Sequence, residues 1–370
     1  MRPALAALLL ASAALAGCGA RPAVQPGPPP APIEMEAVVV EVDGQGQGQV
    51  YDAATLFQEG EAAHRAQDFA RCDQVYGQLL DRFPDSRFAH SALYNRGLCL
   101  ESLKQHALAA QHFRRHAQLA TELRDRRDGE FRMGVNLLAT GNHAEAQHLY
   151  DQLLQAEDLG PADRAECHLR RAIARTHLKR VGLAERDLRA ATSYVKEAYG
   201  EHLQGNDLLA EIHFQRGRIY EQLTRDVPLK LPLAKMKGDL AEKVRYFRQA
   251  QASYIDALNV RHSYWATASG LKLGELYEHF YRDVLLAEAP ADFDKDAKAY
   301  YLYELRKALT PLLEQSLSIY EKNITLSERL GARNEWVDET EARVARLRSL
   351  IEANQRAPEP LGAKEQKPTG

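Results

Sequence analysis

Alternating aspartates near residue 292 form a pattern that could bind an ion. Asp292, Asp294 and Asp296 repeat the oxygen-ligand spacing with which a calcium loop begins. However, Ala297 holds the position that such a loop fills with glycine, and Tyr303 holds that of its bidentate acid. We therefore interpret the aspartates as acids at the start of a helix, where the helix dipole favours negative charge.

Two further patterns suggest a metal or a cofactor but lack the partners that either would need. His112 and His116 are one helical turn apart, yet no cysteine or carboxylate with ligand spacing accompanies them. We expect both on a solvent-exposed surface. The glycines of residues 44–48 have the wrong spacing for a dinucleotide-binding loop, and no βαβ unit surrounds them. We predict no metal site and no cofactor.

Catalytic motifs are missing from the chain. The sequence contains no GxxxxGK[ST] phosphate loop, no GxSxG nucleophile elbow and no HExxH zinc motif. Its 48 basic and 51 acidic side chains are interleaved, so a net charge of −3 provides no field that would hold a polyanion. We expect a non-catalytic protein that does not bind nucleic acid.

The N-terminus has the pattern of a targeting signal. Arg2 supplies a positive charge, residues 4–16 form an apolar run, and Leu15-Ala16-Gly17-Cys18 closes it. This run is too short for a membrane-spanning helix, which needs about 20 residues. Its last four residues resemble the bacterial lipobox, which implies cleavage before Cys18 and lipidation of that cysteine. An ordinary signal peptide, cleaved nearby, is the alternative.

That resemblance also implies a location. Residues 1–17 would be the lipoprotein signal peptide, and acyl chains on Cys18 would anchor the protein in a membrane without spanning it. Gly19 stands where an inner-membrane retention signal has aspartate, which implies the outer membrane. We expect residues 18–50 to be a Pro/Gly-rich linker, because six prolines between residues 19 and 35 favour an extended stalk. Valines within residues 38–42 favour a short strand.

Small residues recur at a regular interval from residue 53 onwards. The first small residues of the four units are Gly60, Gly97, Gly134 and Ala172. They are separated by 37, 37 and 38 residues. Another small residue lies twelve positions after each, and a large side chain follows four positions later: Tyr76, Phe113, Tyr150 and Leu188. The repeat predicts hairpins of two antiparallel helices that approach closely at the small side chains.

This pattern resembles the tetratricopeptide repeat (TPR), whose usual period is about 34 residues. The resemblance implies an all-α, TPR-like α-solenoid of antiparallel helix pairs. We predict TPR-like repeats over residues 51–260, an extended helical hairpin and capping helix over 261–356, and a disordered tail over 357–370. The long helix is expected to end at Gly331, and Asn334 to cap the last helix.

An aromatic stripe is the remaining sign of a binding surface. The fifth position of each first helix tends to face the concave groove of a TPR. Here it is held by Phe57, Tyr94, Phe131, Leu169 and Phe214. Because aromatic rings give a large contact area at small entropic cost, the stripe predicts a groove that binds a segment of a partner. Tighter packing between neighbouring first helices is the alternative.

Two cysteines near the start of the repeats leave one question open. Cys72 occupies a small-residue position and Cys99 lies beside Gly97, so a disulfide between them would suit an oxidising compartment. Three cysteines remain besides Cys18, so at least one stays unpaired.

Envelope proteins are the partners that the family resemblance implies. The junction at residues 83–86 and the segment 92–97 are similar to those of bacterial TPR envelope lipoproteins, including that of the outer-membrane β-barrel assembly machine. The length, proline stalk and long C-terminal helices are more similar to the TPR lipoproteins of gliding-motility complexes. The resemblance implies an outer-membrane scaffold facing the periplasm. Alternatives are an accessory subunit of β-barrel or pilus assembly, and a cell-wall ligand-binding protein or enzyme.

Overall fold

The computed structural model describes residues 38–42, 47–290 and 292–360, and almost all of this part is helical. The predicted signal peptide, Cys18, most of the predicted linker and residues 361–370 lie outside the described residues. Thirteen helices follow a two-stranded sheet: α1 Ala53–Arg65, α2 Phe69–Arg82, α3 Ala89–Ser102, α4 His106–Leu119, α5 Leu123–Ala139, α6 His143–Leu153, α7 Pro161–His177, α8 Val181–Tyr199, α9 Asp207–Asp226, α10 Leu233–Val260, α11 Ser263–Leu285, α12 Lys295–Leu330 and α13 Glu335–Arg356.

The first twelve helices form six antiparallel hairpins. Each odd-numbered helix packs against the next even-numbered one, and each hairpin packs against the hairpin that follows it. The last helix, α13, packs on α12 and α11. This succession is an all-α, TPR-like solenoid, which confirms the fold class predicted from the repeat. We call α1, α3, α5, α7, α9 and α11 the first helices.

The close approach of the two helices in a hairpin is built as the repeat predicts. A Cβ atom on Gly60 would lie 2.6 Å from the ring of Tyr76, and one on Gly97 would lie 2.8 Å from the ring of Phe113. The same pairing joins Gly134 to Tyr150, Gly217 to Tyr254 and Gly274 to Tyr320. Each aromatic ring therefore fills a space that only glycine leaves open.

Each of the first four hairpins turns through one residue in the left-handed region. These residues occupy the same position of the repeat, with φ between 59° and 79°: Gln67, Lys104, Gly141 and Lys179. At this position the chain carries glutamine, lysine or glycine, so the turn geometry does not depend on which side chain is present. The backbone of the turn fixes the direction in which the side chain of this residue leaves the solenoid.

The C-terminal helices follow the predicted ends. Gly331, in the left-handed conformation, ends α12, and the side chain of Asn334 accepts hydrogen bonds from the backbone N–H groups of Trp336 and Val337 at 3.1 and 3.2 Å. The same chemistry starts α12, because Asp294 accepts from the N–H of Ala297 at 2.8 Å. Asp294 thus caps α12 and Asp296 lies in its first turn, which agrees with the prediction of acids at a helix start.

A small sheet precedes α1. Strands β1 (Val38–Val42) and β2 (Gly48–Asp52) pair antiparallel, with Val40 opposite Val50. Val39 and Tyr51 pack against the first hairpin. The strand that the valines of residues 38–42 favour is present as β1, whereas residues 48–50, predicted to belong to the linker, are part of the second strand. No helix of the described residues is long and apolar enough to span a membrane.

Candidate partner-binding face

The predicted aromatic stripe lies partly in the core. Leu169 and Phe214 are 0% and 3% exposed, and Phe214 packs against Tyr254, Trp265 and Trp336. Neither Leu169 nor Phe214 can contact a partner, so the prediction that they do is wrong. Their role is to hold neighbouring hairpins together, which is the packing alternative considered for the stripe.

The other three stripe residues are half-buried. Phe57 stacks on Phe88 with ring centroids 5.1 Å apart, and Tyr94 meets Phe113 edge-on at 5.4 Å. The ring centroids of Phe131 and Tyr150 are 6.5 Å apart. Each ring gives part of its surface to packing and leaves part accessible. Partner binding by these three side chains stays a prediction.

Cavities lie between successive first helices. One of about 200 Å³ lies between α1 and α3 and is lined by Glu61, His64, Arg65, Tyr76, Asn95 and Leu98. Another of about 240 Å³, between α3 and α5, is lined by Tyr94 together with His90, His116, Asp125 and Asp128. A third of about 350 Å³ lies between α7, α9 and α11. These cavities offer concave surface along the row of first helices.

The two histidines considered as metal ligands are not on a solvent-exposed surface. His116 is buried and its ring stacks on that of His90 at 4.0 Å, while His112 is half-buried. Burial lowers the pKa of both His112 and His116 to about 4. Arg96 adds to the effect at His112, whereas Asp125 and Asp128 oppose it at His116. The expectation of solvent exposure is wrong because α4 is covered on this side by α3 and α5. Both rings are neutral at pH 7.

Charged side chains between α6, α7 and α8 form a closed network. The carboxylate of Asp187 accepts from Arg171, Arg175 and His168 at 2.6 to 3.0 Å, and Asp151 accepts from the same two arginines. Burial opposes the ionised form of Asp187, but these donors hold its pKa below the usual value. A carboxylate satisfied in this way joins α7 to α8 and is not available as a base.

Glu211 on α9 is a second buried carboxylate. It pairs with Arg170 of α7 at 2.6 Å, but burial raises its pKa. Glu211 is therefore covered by α7 and does not line a groove. Among the described residues no group of three or more His, Cys, Asp or Glu side chains could hold a metal ion.

The cysteines of the repeats are now assigned. Cys72 on α2 and Cys99 on α3 form a disulfide, with Cα atoms 6.0 Å apart, so the first two hairpins are covalently joined. Cys167 is a buried free thiol. Burial raises its pKa to about 12, which keeps it protonated and unreactive.

Comparison with known families agrees with this geometry at the first hairpin. Residues 54–86 match the tetratricopeptide repeat family model. The match spans α1, α2 and the turn after them. The second and third hairpins share the spacing and the glycine–aromatic packing of this TPR hairpin. The second helices of the last three hairpins, α8, α10 and α12, are longer. No curated protein matched the chain.

Several solved TPR structures are similar to the chain in fold. A TPR protein from Parabacteroides merdae shares 12% identity over 82% of this chain and 99% of its own, with a TM-score of 0.39. The C-terminal part of a TPR protein from Cytophaga hutchinsonii shares 10% over 81% and 100%, with a TM-score of 0.43. The TPR2AB domain of yeast Sti1, solved with pHSP90, shares 15% over 82% and 98%, with a TM-score of 0.25. At these scores the likenesses do not bear on function.

Sequence reasoning missed the charged cavity between α7, α9 and α11. Its basic residues are far apart in the chain, for example Lys179, Arg218 and Lys272, and no motif joins them. The one available signal was the repeat register, because it places the turn after α7 beside the next first helix. If the register is applied to charged residues as well, it predicts that Lys179 lies near α9.

Proposed function

We propose that this protein is a non-catalytic scaffold that binds other proteins along its row of first helices. The observation that carries the proposal is the series of cavities between successive first helices, one of them lined by the half-buried Tyr94. Large accessible aromatic side chains at the wall of a cavity are typical of protein recognition. Ionised groups such as Asp187 and Glu211 are held in ion pairs, which supports a structural role for them.

We further propose that the scaffold is an outer-membrane lipoprotein that faces the periplasm. The lipobox-like residues ending at Cys18 support an acyl anchor, and the proline-rich residues 19–35 support a stalk between the anchor and the solenoid. The disulfide between Cys72 and Cys99 supports an oxidising compartment, since such bonds are rare in reducing ones. Its partners would be proteins of an envelope complex, with motility machinery favoured.

The anchor is tested by mass spectrometry of the mature N-terminus and by fractionation of membranes. The protein should begin at an acylated Cys18 and should co-sediment with outer membranes, whereas Cys18→Ala should be released from them or remain uncleaved. A mature N-terminus at another residue, without acyl chains, would contradict the lipoprotein proposal. It would leave the scaffold proposal standing.

Binding along the first helices is tested by capture of crosslinked envelope proteins from cells. Tyr94→Ala combined with Phe131→Ala should abolish capture and leave the helical circular dichroism unchanged. Tyr246→Ala is the matched control, because Tyr246 is also a half-buried tyrosine but lies on a second helix, α10. Capture that survives the double substitution would reject these aromatic residues as the binding surface.

A further inference from the structure

A polar cavity of about 350 Å³ opens between the first helices of the fourth, fifth and sixth hairpins. Its charged wall consists of four cations and one acid: Lys179, Arg218, Arg225, Lys272 and Glu221. They come from the turn after α7, from α9 and from α11. Three separate elements therefore bring positive charge to one concave site in a protein whose net charge is negative.

Two of these cations are already neutralised inside the protein. Arg225 pairs with Glu221 at 2.7 Å, and Lys272 pairs with Glu275 at 2.6 Å. Glu221 also accepts a hydrogen bond from the hydroxyl of Tyr254 at 2.7 Å. The only acid of the wall is thus fully engaged and does not offset further positive charge.

The other two cations have no counter-ion among the described residues. The side chains of Lys179 and Arg218 make no hydrogen bond or ion pair there, although most arginines of the solenoid do. The backbone of Lys179 is fixed in the left-handed turn after α7, with φ of 60°. The Cα atom of Lys179, from which the side chain extends, therefore has a fixed position at the edge of the cavity.

His177 lies on the same wall as the two unpaired cations. Burial, the ring of His143 and the charges of Arg218 and Lys179 all lower the pKa of His177, which lines the same wall. His177 is therefore neutral at pH 7 and stacks on His143 at 4.1 Å. Beside these groups Gln215 contributes an amide that can both donate to and accept from a peptide backbone.

We propose that this cavity binds an acidic segment of a partner protein, with carboxylates paired to Lys179 and Arg218. Charge-assisted hydrogen bonds from lysine and arginine are the strong contacts for carboxylates, and an amide beside them suits a polypeptide. The volume is at the small end of ligand cavities, about 300 to 1,000 Å³, which suits a few residues of a chain. The inference rests on the proposed scaffold function and gives the chemistry of one partner segment.

The test measures the binding of fluorescein-labelled hexaglutamate to the purified solenoid by fluorescence anisotropy, with hexaglutamine as the uncharged probe. Lys179→Gln combined with Arg218→Gln should weaken hexaglutamate binding about tenfold or more at low salt. The fold should tolerate Lys179→Gln, because the first hairpin carries Gln67 at the same left-handed position. Hexaglutamine should not bind either protein.

The matched control removes two cations elsewhere. Lys104→Gln combined with Arg329→Gln gives the same net charge, and Lys104 has the same turn geometry as Lys179 but lies outside the cavity. This control should bind hexaglutamate as the wild type does, and the wild-type affinity should fall as salt rises. Equal losses in the two double variants would assign the effect to overall charge and overturn the proposal.

Two other results would also overturn it. In the first, the wild-type protein binds neither hexaglutamate nor inorganic phosphate. In the second, it binds inorganic phosphate in the cavity but not hexaglutamate. In either case, capture of envelope proteins that still depends on Tyr94 and Phe131 would leave the scaffold function intact. Capture that survives the Tyr94→Ala and Phe131→Ala double substitution, together with retained hexaglutamate binding, would instead reject the aromatic surface and keep the cavity.

Discussion

Buried histidines are the residues through which acid acts most directly on this protein. His112, His116 and His213 each have a pKa lowered to about 4, with burial as the first cause. In the unfolded chain they take up protons near pH 6.5. The unfolded state therefore binds more protons as the pH falls from 6.5 towards 4, and the free energy of unfolding decreases over that window.

Replacing one of these histidines should remove part of that dependence. For His116→Gln we expect the slope of unfolding free energy against pH, between about 6 and 4.5, to be smaller by up to about 1.4 kcal/mol per pH unit. Urea denaturation at several pH values measures it, and the difference in slope does not depend on the packing cost of the substitution. The same slope in wild type and variant would show that His116 is protonated in the folded state.

Asp187 marks the lower boundary of that pH window. Its hydrogen bonds hold the pKa of Asp187 below the ordinary 3.8, so its contribution to stability is present above that pH and is lost only below it. Losses between pH 6.5 and about 5 therefore do not come from Asp187. The two kinds of group can be separated in one titration of stability.

At the scale of elements, the contact between a glycine and an aromatic ring sets how closely two helices pack. Gly60→Ala should destabilise the protein by about 1 to 3 kcal/mol, because the new methyl group meets the ring of Tyr76. The fourth hairpin shows the other solution, with buried Ala172 and Leu188 in these positions. Gly60→Ala combined with Tyr76→Leu should therefore recover part of the loss.

A double-mutant cycle measured by chemical denaturation tests this coupling. We expect the two substitutions together to cost less than the sum of their separate costs. Additive costs would mean that the glycine and the ring do not set the helix distance together.

The disulfide joins the first two hairpins and should contribute to their stability. Cys72 and Cys99 are 27 residues apart, so loop-closure entropy predicts a contribution of about 3.5 kcal/mol. Cys72→Ala combined with Cys99→Ala should lower the midpoint of guanidinium denaturation and remove its dependence on reductant. Cys167→Ala is the control and should keep that dependence. A wild-type midpoint that does not change with reductant would contradict the contribution.

The elements were largely predictable from the sequence because the repeat records helix packing directly. Small residues such as Gly60 and Gly97 can be spaced regularly only if the helices meet regularly, and Gly331 and Asn334 are local end signals. Strand β2 was missed because Gly48–Asp52 has little strand propensity of its own and pairs only with β1. The stripe was misjudged because exposure depends on what packs over each position. Leu169 lies in a core cluster and Phe214 packs against Trp265, whereas Tyr94 is half-exposed.

At the scale of the whole molecule, positive and negative side chains alternate along the sequence, but the fold gathers positive ones in one place. Lys179 and Arg218 are 39 residues apart, and Lys272 is 54 residues further on, yet all three line one cavity. The net charge of the sequence averages over residues that are far apart in the chain, so it could not predict the charge of this cavity. The stacking of first helices brings these side chains together, and the same stacking produces the cavity at Tyr94.

The central claim is that partners bind along the first helices, and site-specific photocrosslinking in cells tests it most directly. Benzoylphenylalanine would replace Tyr94 on α3 in one strain and Tyr246 on α10 in another, each half-buried and aromatic. We predict a light-dependent adduct of discrete mass from position 94, identifiable as an envelope protein, and none from position 246. Adducts from position 246 alone would contradict the account.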